Sequence, residues 1–403
     1  MSRGPRNAVQ DLRGAARLVI LGTTATTDVV EQTHFTIAGP PARLWRAGPI
    51  RGLVYRSVRD ITRVVGTGLE RALASAERLV TETAPGPRRA AVIAALNGVV
   101  GDHLAETGNP LAIPMRFCRD GEPLDIDSAA LSAAIPNPTA KLLVLVHGLC
   151  TDDGFWLRNG HNHGEALARD LGYTPVYLNY NTGRHISENG REFSTLMDQL
   201  VRAWPVPVEE ITVMGHSMGG LVARSACHYA EQSSAEQSGA QWRSRLTRLV
   251  CLGSPHHGAP LERGGNWLQV LGGISRYTAP IASMGKLRSA GITDLRYGAV
   301  ADTHWSSRDR FEPSIDDREP VPLPADVACY AIAATLSPEG KSNPRGDGMV
   351  PVASALGHHR NPLLALEFPT VNQHVVTETG HLDLVGSAEV YDVLKDWLSS
   401  RCR

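Results

Sequence analysis

The stretch "ITVMGHSMGGLVARSA" runs from Ile211 to Ala226 and holds two patterns joined at one residue. Up to His216 the residues form an apolar run of the kind a buried strand shows, and from Met218 onward they read as a helix. Ser217 falls at the junction, flanked by Gly215 and Gly219 in a Gly-x-Ser-x-Gly pattern. A strand that turns sharply into a helix strains its turn residue and lifts that side chain above the sheet edge. Glycines are then needed on both sides, because side chains there would collide with the strand and the helix. So short a pattern also arises by chance, and its context decides its meaning. A catalytic serine here requires a strand before it, a helix after it, and an acid and a histidine later in the chain, in that order.

The surroundings supply the strand and the helix. From about residue 110, short apolar runs alternate with helical patterns. Strands are expected at Ala112–Cys118, Glu122–Ile126, Lys141–Gly148, Thr174–Asn181, Glu209–His216, Leu246–Pro255 and Asp326–Leu336, with Leu364–Phe368 as the last. Helices fit at about His163–Leu171, Arg191–Trp204, Met218–Gln232 and Leu384–Ser399. Continuous apolar strands alternating with helices predict an α/β fold: a mostly parallel sheet covered on both faces. The turn after Glu209–His216 then places the Ser217 hydroxyl at the C-terminal edge of the sheet, where open α/β sheets bind ligands.

The chain upstream of residue 110 reads differently. Val54, Val58, Ile61, Val65, Leu69 and Leu73 recur at steps of three and four, with Arg56, Arg59 and Arg63 opposite. That spacing predicts an amphipathic helix, weakened by Gly66 and Gly68 and stopped by Pro85 and Pro87. A second helix is expected over about Arg88–Glu106. Residues 1–110 are therefore read as a helical extension packed on the body, residues 111–403. Residues 1–90 hold 14 Arg and 7 acids, a balance of +7. The whole chain carries −1, so the remainder is about −8. A basic extension suits an acidic face of its own body, and next to that an anionic membrane surface.

Bulk properties narrow the class. At 42% hydrophobic and 20% charged residues the 403-residue chain is globular. No apolar run reaches the ~18 residues of a membrane span, and no apolar core with a cleavage site marks a secretory signal. The six cysteines lack CxxC spacing and read as buried thiols of a reducing compartment. The expected location is cytoplasmic, with peripheral membrane contact as the one membrane role left. Nothing points to nucleic acid, and the sequence does not give an oligomeric state.

An acyl-transfer site also needs N–H groups to hold a developing oxyanion. The Met218 N–H opens the helix after Ser217 and points at the same spot. "LVLVHGLC" ends an earlier strand, and its Leu149 N–H is the second candidate, with His147 read as a loop anchor.

Here the chain resembles the α/β-hydrolase superfamily, in particular its lipase and esterase branch and the bacterial lipases akin to the GPI inositol-deacylase group. The resemblance rests on "VHGLCTDDGFW" (Val146–Trp156), "GHSMGG" (Gly215–Gly220), "LGSPHHGAPLERGGNWL" (Leu252–Leu268), "GDGMVPVASA" (Gly346–Ala355) and "TGHLDLV" (Thr379–Val385). It covers roughly residues 110–400. It implies a serine nucleophile, an acyl-enzyme, an ester or lipid substrate and no cofactor.

The triad order in that superfamily is serine, acid, histidine. His381 is the candidate base, His374 its rival, and His358 and His359 are weaker. Asp347 in "GDGMVP" follows a late strand and is the candidate acid, able to fix the imidazole tautomer and stabilise its cation. Asp-Gly is also an ordinary turn pair. Asp383 lies too close in sequence to His381, and Asp326 starts its strand at the wrong end of the sheet. The pairs His161/His163 and His256/His257 invite a metal reading, but no carboxylate or cysteine stands at ligand spacing, so none is assigned. The segment between Gly258 and Asp326 exceeds any βα connection and is read as an apolar cap or lid insertion at about 258–325. The expected activity is carboxylic-ester hydrolysis. The rivals are acyl transfer by the same triad and a non-catalytic scaffold.

Overall fold

The computed structural model describes residues 87–235, 240–259, 288–306, 309–310, 315–340 and 346–399. The amphipathic helix expected within residues 54–80, Cys402 and half of the expected cap lie outside them. The chain divides into two compact units, one of residues 1–86 and 106–112, the other of 87–105 and 113–403. Of the first, residues 106–112 are described. They contain a turn in which Ala112 N–H donates to Asn109 O at 2.9 Å. The second carries the sheet.

The described helices are α1 (Pro87–Glu106), α2 (Ser128–Ala134), α3 (His163–Leu171), α4 (Ile186–Ala203), α5 (Met218–Ala235), α6 (Ala290–Asp294), α7 (Val352–Ala355) and α8 (Ala388–Ser399). Its strands are β1 (Arg116–Arg119), β2 (Glu122–Pro123), β3 (Lys141–Val146), β4 (Thr174–Asn179), β5 (Glu210–His216), β6 (Leu246–Leu252), β7 (Ala328–Ala334) and β8 (Gln373–Val376). The eight form one sheet in the order β2-β1-β4-β3-β5-β6-β7-β8. Strands β3 to β8 are mutually parallel, while β1 runs antiparallel to β4 and to β2. This is the mostly parallel sheet with helices that the alternating pattern predicts.

Packing follows the strand patterns. Five of the six β3 residues and every β4 residue are buried, as a sheet covered on both faces requires. On one face Leu143, Leu145, Met214, Val250 and Ile332 join Leu167 of α3 and Val390, Leu394 and Leu398 of α8 in a single cluster. Helices α4 and α5 pack against each other. Their approach is close at Gly190, where an added Cβ would lie 2.5 Å from Ser225 Cβ. The glycine that makes this contact also hides the first turns of α4 from a propensity reading, which starts the helix only at Arg191.

Three other expectations are corrected. The strand expected at Ala112–Cys118 is confined to Arg116–Arg119, since Pro114 has no N–H for a ladder. The one expected at Glu122–Ile126 shrinks to Glu122–Pro123, paired to β1 across a tight turn with Asp120 and Gly121 at φ 51° and 78°. Leu364–Phe368 is not a strand. Leu364, Leu366 and Phe368 are buried alternately, which imitates a strand, but the backbone turns, with Leu366 N–H bonded to Gly357 O and Phe368 N–H to Leu366 O. The last strand is the short, polar β8, which carries His374.

The register sets the position of the site. Val146 pairs Gly215, Gly215 pairs Cys251, Leu252 pairs Ile332, and Ile332 pairs His374. The C-terminal ends of β3, β5, β6, β7 and β8 are therefore level. The residues that follow them emerge along one edge.

Candidate active site

Ser217 follows β5 directly and has φ 54°, a left-handed value that is uncommon for a residue with a Cβ. The turn is held by Ser217 N–H donating to Leu252 O (2.8 Å) and Gly220 N–H to Ser217 O (3.1 Å). An added Cβ on Gly215 would stand 2.5 Å from Gly220 Cα, and one on Gly219 would stand 2.7 Å from His147 O. The glycines therefore let strand, helix and the neighbouring loop meet around the serine. Ser217 is 8% exposed.

The expected acid and base are adjacent. Asp347 Oδ2 accepts from His381 Nδ1 at 2.7 Å, and both side chains are almost wholly buried. Asp347 Oδ1 accepts from the N–H groups of Met349 (2.9 Å) and Val350 (2.7 Å), so both carboxylate oxygens are engaged. The loops are tied as well, with His381 N–H donating to Asp347 O at 3.1 Å. Gly346, at φ 121°, leaves room for the turn, since a Cβ there would lie 2.9 Å from Pro351 Cα. A carboxylate on Nδ1 fixes the imidazole with its proton on that nitrogen and leaves Nε2 as the acceptor. Nε2 is buried and has no hydrogen-bond partner.

His381 is tied to the residue before the serine. His216 Nε2 donates to His381 O at 3.0 Å, and the two rings are 4.8 Å apart. Burial, then the neighbouring His381, hold His216 well below the ordinary histidine pKa, so it stays neutral. The sequence gives no signal for this contact beyond the histidine in "GHSMGG". From β6, Gly253 at φ 59° closes the other side: a Cβ there would stand 3.2 Å from His381 Cε1.

The loop after β3 lies on the serine. A Cβ on Gly148 would stand 3.0 Å from Ser217 Cβ, which brings the loop that holds Leu149 to the serine. His147 anchors this loop, as expected. Its Nδ1 bonds Gly148 O (2.9 Å), its ring stacks on Tyr180, and Tyr180 OH donates to its carbonyl (2.9 Å). Burial lowers its pKa to about 4. Met218 opens α5, at the end of a helix that favours negative charge.

The rival residues stand elsewhere. His374 pairs with Glu389 at 3.0 Å. Asp383 pairs with Arg158 at 2.8 Å and not with His381. His358 lies in the turn after α7, and His359 stands 3.5 Å from Asp316. Asp326 sits in a turn before β7 with φ 56°. His161 and His163 bond each other (2.9 Å), and His163 bonds Leu384 O (2.9 Å). His256 meets Arg224 and His257 meets Gly357 O. Among the described residues no group of three or more His, Cys, Asp or Glu could hold a metal ion. Cys118, Cys150, Cys227, Cys251 and Cys329 are buried free thiols. No described helix is long and apolar enough to cross a membrane.

A sheet of this topology with a strained serine after its fifth strand defines an α/β-hydrolase-fold protein. Residues 170–318 match the family model of the PGAP1-like alpha/beta domain, in agreement with the resemblance drawn from the motifs. No curated protein matches the chain. Among solved structures it is similar to the mature form of a Bacillus licheniformis lipase, at 17% identity and TM-score 0.40, over 65% of this chain and 94% of that one. It is also similar to a Staphylococcus hyicus lipase, at 14% identity and TM-score 0.36, over 65% and 96%. A Pyrococcus furiosus esterase is similar at 13% identity and TM-score 0.37, over 65% and 83%.

Proposed function

We propose that the protein is a serine hydrolase that cleaves carboxylic esters through an acyl-enzyme, with Ser217 as nucleophile, His381 as base and Asp347 as the acid that orients it. The observation that carries the reading is the 2.7 Å Asp347–His381 hydrogen bond beside a serine held at φ 54°. His381 Nε2 takes the Ser217 proton as Oγ attacks the ester carbonyl carbon. The carbonyl oxygen becomes an oxyanion, held by the N–H groups of Met218 and Leu149. Collapse of this intermediate breaks the ester C–O bond, and His381 passes its proton to the departing alkoxide. Water then gives a proton to His381, attacks the acyl-enzyme and releases the acid, with the proton returned to Ser217. Asp347 orients the imidazole and stabilises the imidazolium. No metal or cofactor takes part.

The proposed organisation is a helical extension over residues 1–110 and a catalytic domain over 111–403. An insertion at about 258–325 supplies an apolar wall for the acyl group. A p-nitrophenyl ester assay with the full chain tests the activity. Release in plain buffer that disappears in Ser217→Ala supports hydrolysis. Release that needs an added alcohol would replace it with acyl transfer, and no turnover with any ester in a chain-length series would remove it.

A further inference from the structure

Helix α1 lies outside the stretch that resembles hydrolases, yet it touches the loops beside Ser217. It is kinked at Val100, whose φ of −135° and ψ of 20° are not helical. The kink falls between two contact glycines. A Cβ on Gly98 would overlap Cys150 Sγ and stand 2.9 Å from Cys150 Cα. A Cβ on Gly101 would overlap Asn181 Oδ1 and stand 2.9 Å from Asn181 Cγ. Gly183 closes on the same turn, since a Cβ there would lie 2.6 Å from Gly101 N. Backbones come this close only where no Cβ intervenes. Polar bonds secure the contact: Asn181 Nδ2 donates to Gly101 O (2.7 Å), and Gly183 N–H donates to Asn181 Oδ1 (3.0 Å).

These loops fix the Leu149 amide. Cys150 follows Leu149 at a left-handed φ of 61°. Its N–H donates to Thr182 Oγ1 at 3.2 Å, and its sulfur rests against Gly98. At the other end of the loop, Tyr180 OH holds His147 O at 2.9 Å. Residues 147–150 are thus held by Tyr180, by Thr182 and by α1. The 180–183 segment that supplies two of these contacts is itself clamped to α1. Asp102 of the same helix also accepts from Ala290 N–H (2.9 Å) and Arg310 (2.6 Å), which ties the chain after residue 288 to it.

We propose that α1 is a positioning element of the oxyanion hole, in which Gly98 sets the height of Cys150 and so the direction of the Leu149 N–H. The inference rests on Leu149 being an oxyanion donor. A displacement of about 1 Å in such a group costs on the order of 10²-fold in rate. The small size of residue 98 is therefore a requirement of catalysis and not only of helix packing.

Gly98→Ala drives a Cβ into Cys150. Its kcat on a p-nitrophenyl ester should fall roughly 10- to 100-fold, with KM changed less than about threefold. Amide hydrogen exchange over residues 147–151 should rise. Adding Cys150→Gly removes the sulfur and Cβ at a φ that suits glycine, and should restore kcat by about tenfold or more and slow the exchange again. A helix that only stabilises the fold would lower Tm and leave kcat per folded molecule and exchange at 147–151 unchanged, which overturns the proposal. The exchange readout needs no esterase activity. An inactive wild type therefore removes the ester-hydrolysis reading, while the exchange comparison still decides whether α1 holds this loop. If Gly98→Ala does not fold, Asn181→Ala loosens the same clamp. Unchanged kcat and unchanged exchange in Asn181→Ala would overturn the proposal too.

Discussion

Asp347→Asn tests the proposed triad at the member with the weakest sequence signal. The substitution keeps the shape and replaces one carboxylate oxygen with NH2. Two orientations are open to the amide. If its oxygen faces Met349 and Val350, it keeps both N–H bonds, at 2.9 and 2.7 Å, and its NH2 meets His381 Nδ1. If it flips, NH2 faces two N–H donors inside the protein. Leaving the buried Val350 donor without an acceptor costs about 1–3 kcal/mol, and the half-buried Met349 donor adds to it. The first orientation wins by that margin. It forces the imidazole to accept at Nδ1 and so to carry its proton on Nε2, the wrong tautomer for a base. The expected loss in kcat is up to ~10⁴, or about 5.4 kcal/mol of transition-state stabilisation. KM should change little, because the carboxylate meets histidine and not the ester. Purified wild type and Asp347→Asn are compared by steady-state p-nitrophenyl ester kinetics, with Tm measured on both. A kcat within tenfold of wild type in a folded variant would refute the tautomer argument and remove Asp347 from the triad.

Ser217→Ala should lower kcat by several orders of magnitude, because nucleophile and base act as a unit. It should also keep or raise Tm, since the turn at φ 54° becomes no more crowded; undiminished turnover would end the serine assignment. His374→Ala and Asp383→Asn should each keep most of the activity, because their partners are Glu389 and Arg158. Loss of the half-exposed Arg158 pair should shift stability by less than about 1 kcal/mol in a denaturant titration. Burial depresses His147 and His163 from 6.5 to about 4, so the unfolded chain binds their protons first as pH falls. Stability from these residues is full above about pH 6.5 and is lost towards pH 4, with a slope of up to ~1.4 kcal/mol per pH unit for each. Urea midpoints across that window should show a shallower slope in His163→Asn than in wild type; equal slopes would show that His163 does not contribute.

The parts of the fold that were legible in the sequence are those fixed by local pattern. The central strands β3, β4, β5, β6 and β7 are apolar runs with few alternatives, and α3 begins and ends where its sequence pattern predicts, at His163 and Leu171. The edges were less legible, because burial pattern and hydrogen bonding diverge there. Leu364, Leu366 and Phe368 alternate like a strand while their N–H groups bond within a turn, whereas β8 is short and polar and pairs only through its register with β7. The turns that carry Ser217, Asp347 and His381 were legible because glycine neighbours mark them. The His216–His381 bond and the Gly98–Cys150 contact were not. Each joins residues far apart in the chain through a shape that no short motif encodes.

The distribution of unsatisfied polar atoms ties these observations together. Among the described residues, twelve buried side-chain nitrogen or oxygen atoms lack a partner, and six belong to His147, His216, Ser254, His256, His257 and His381. Five of the six are histidines, and all six residues follow or end the parallel strands at one edge of the sheet. Burial keeps His147, His216, His256 and His257 neutral by lowering their pKa values. A ring of neutral imidazoles adds no positive charge that would oppose protonation of His381 when it takes the serine proton. Replacing His216 with Lys would add that charge 4.8 Å from the base, judged by the present ring separation. Two like charges at that distance repel by about 3–4 kcal/mol at an effective dielectric of ~20. The acid limb of the pH–rate profile should then move to lower pH as kcat drops. An acid limb that stays in place in a folded His216→Lys variant would show that the neutrality of this ring has no bearing on the base.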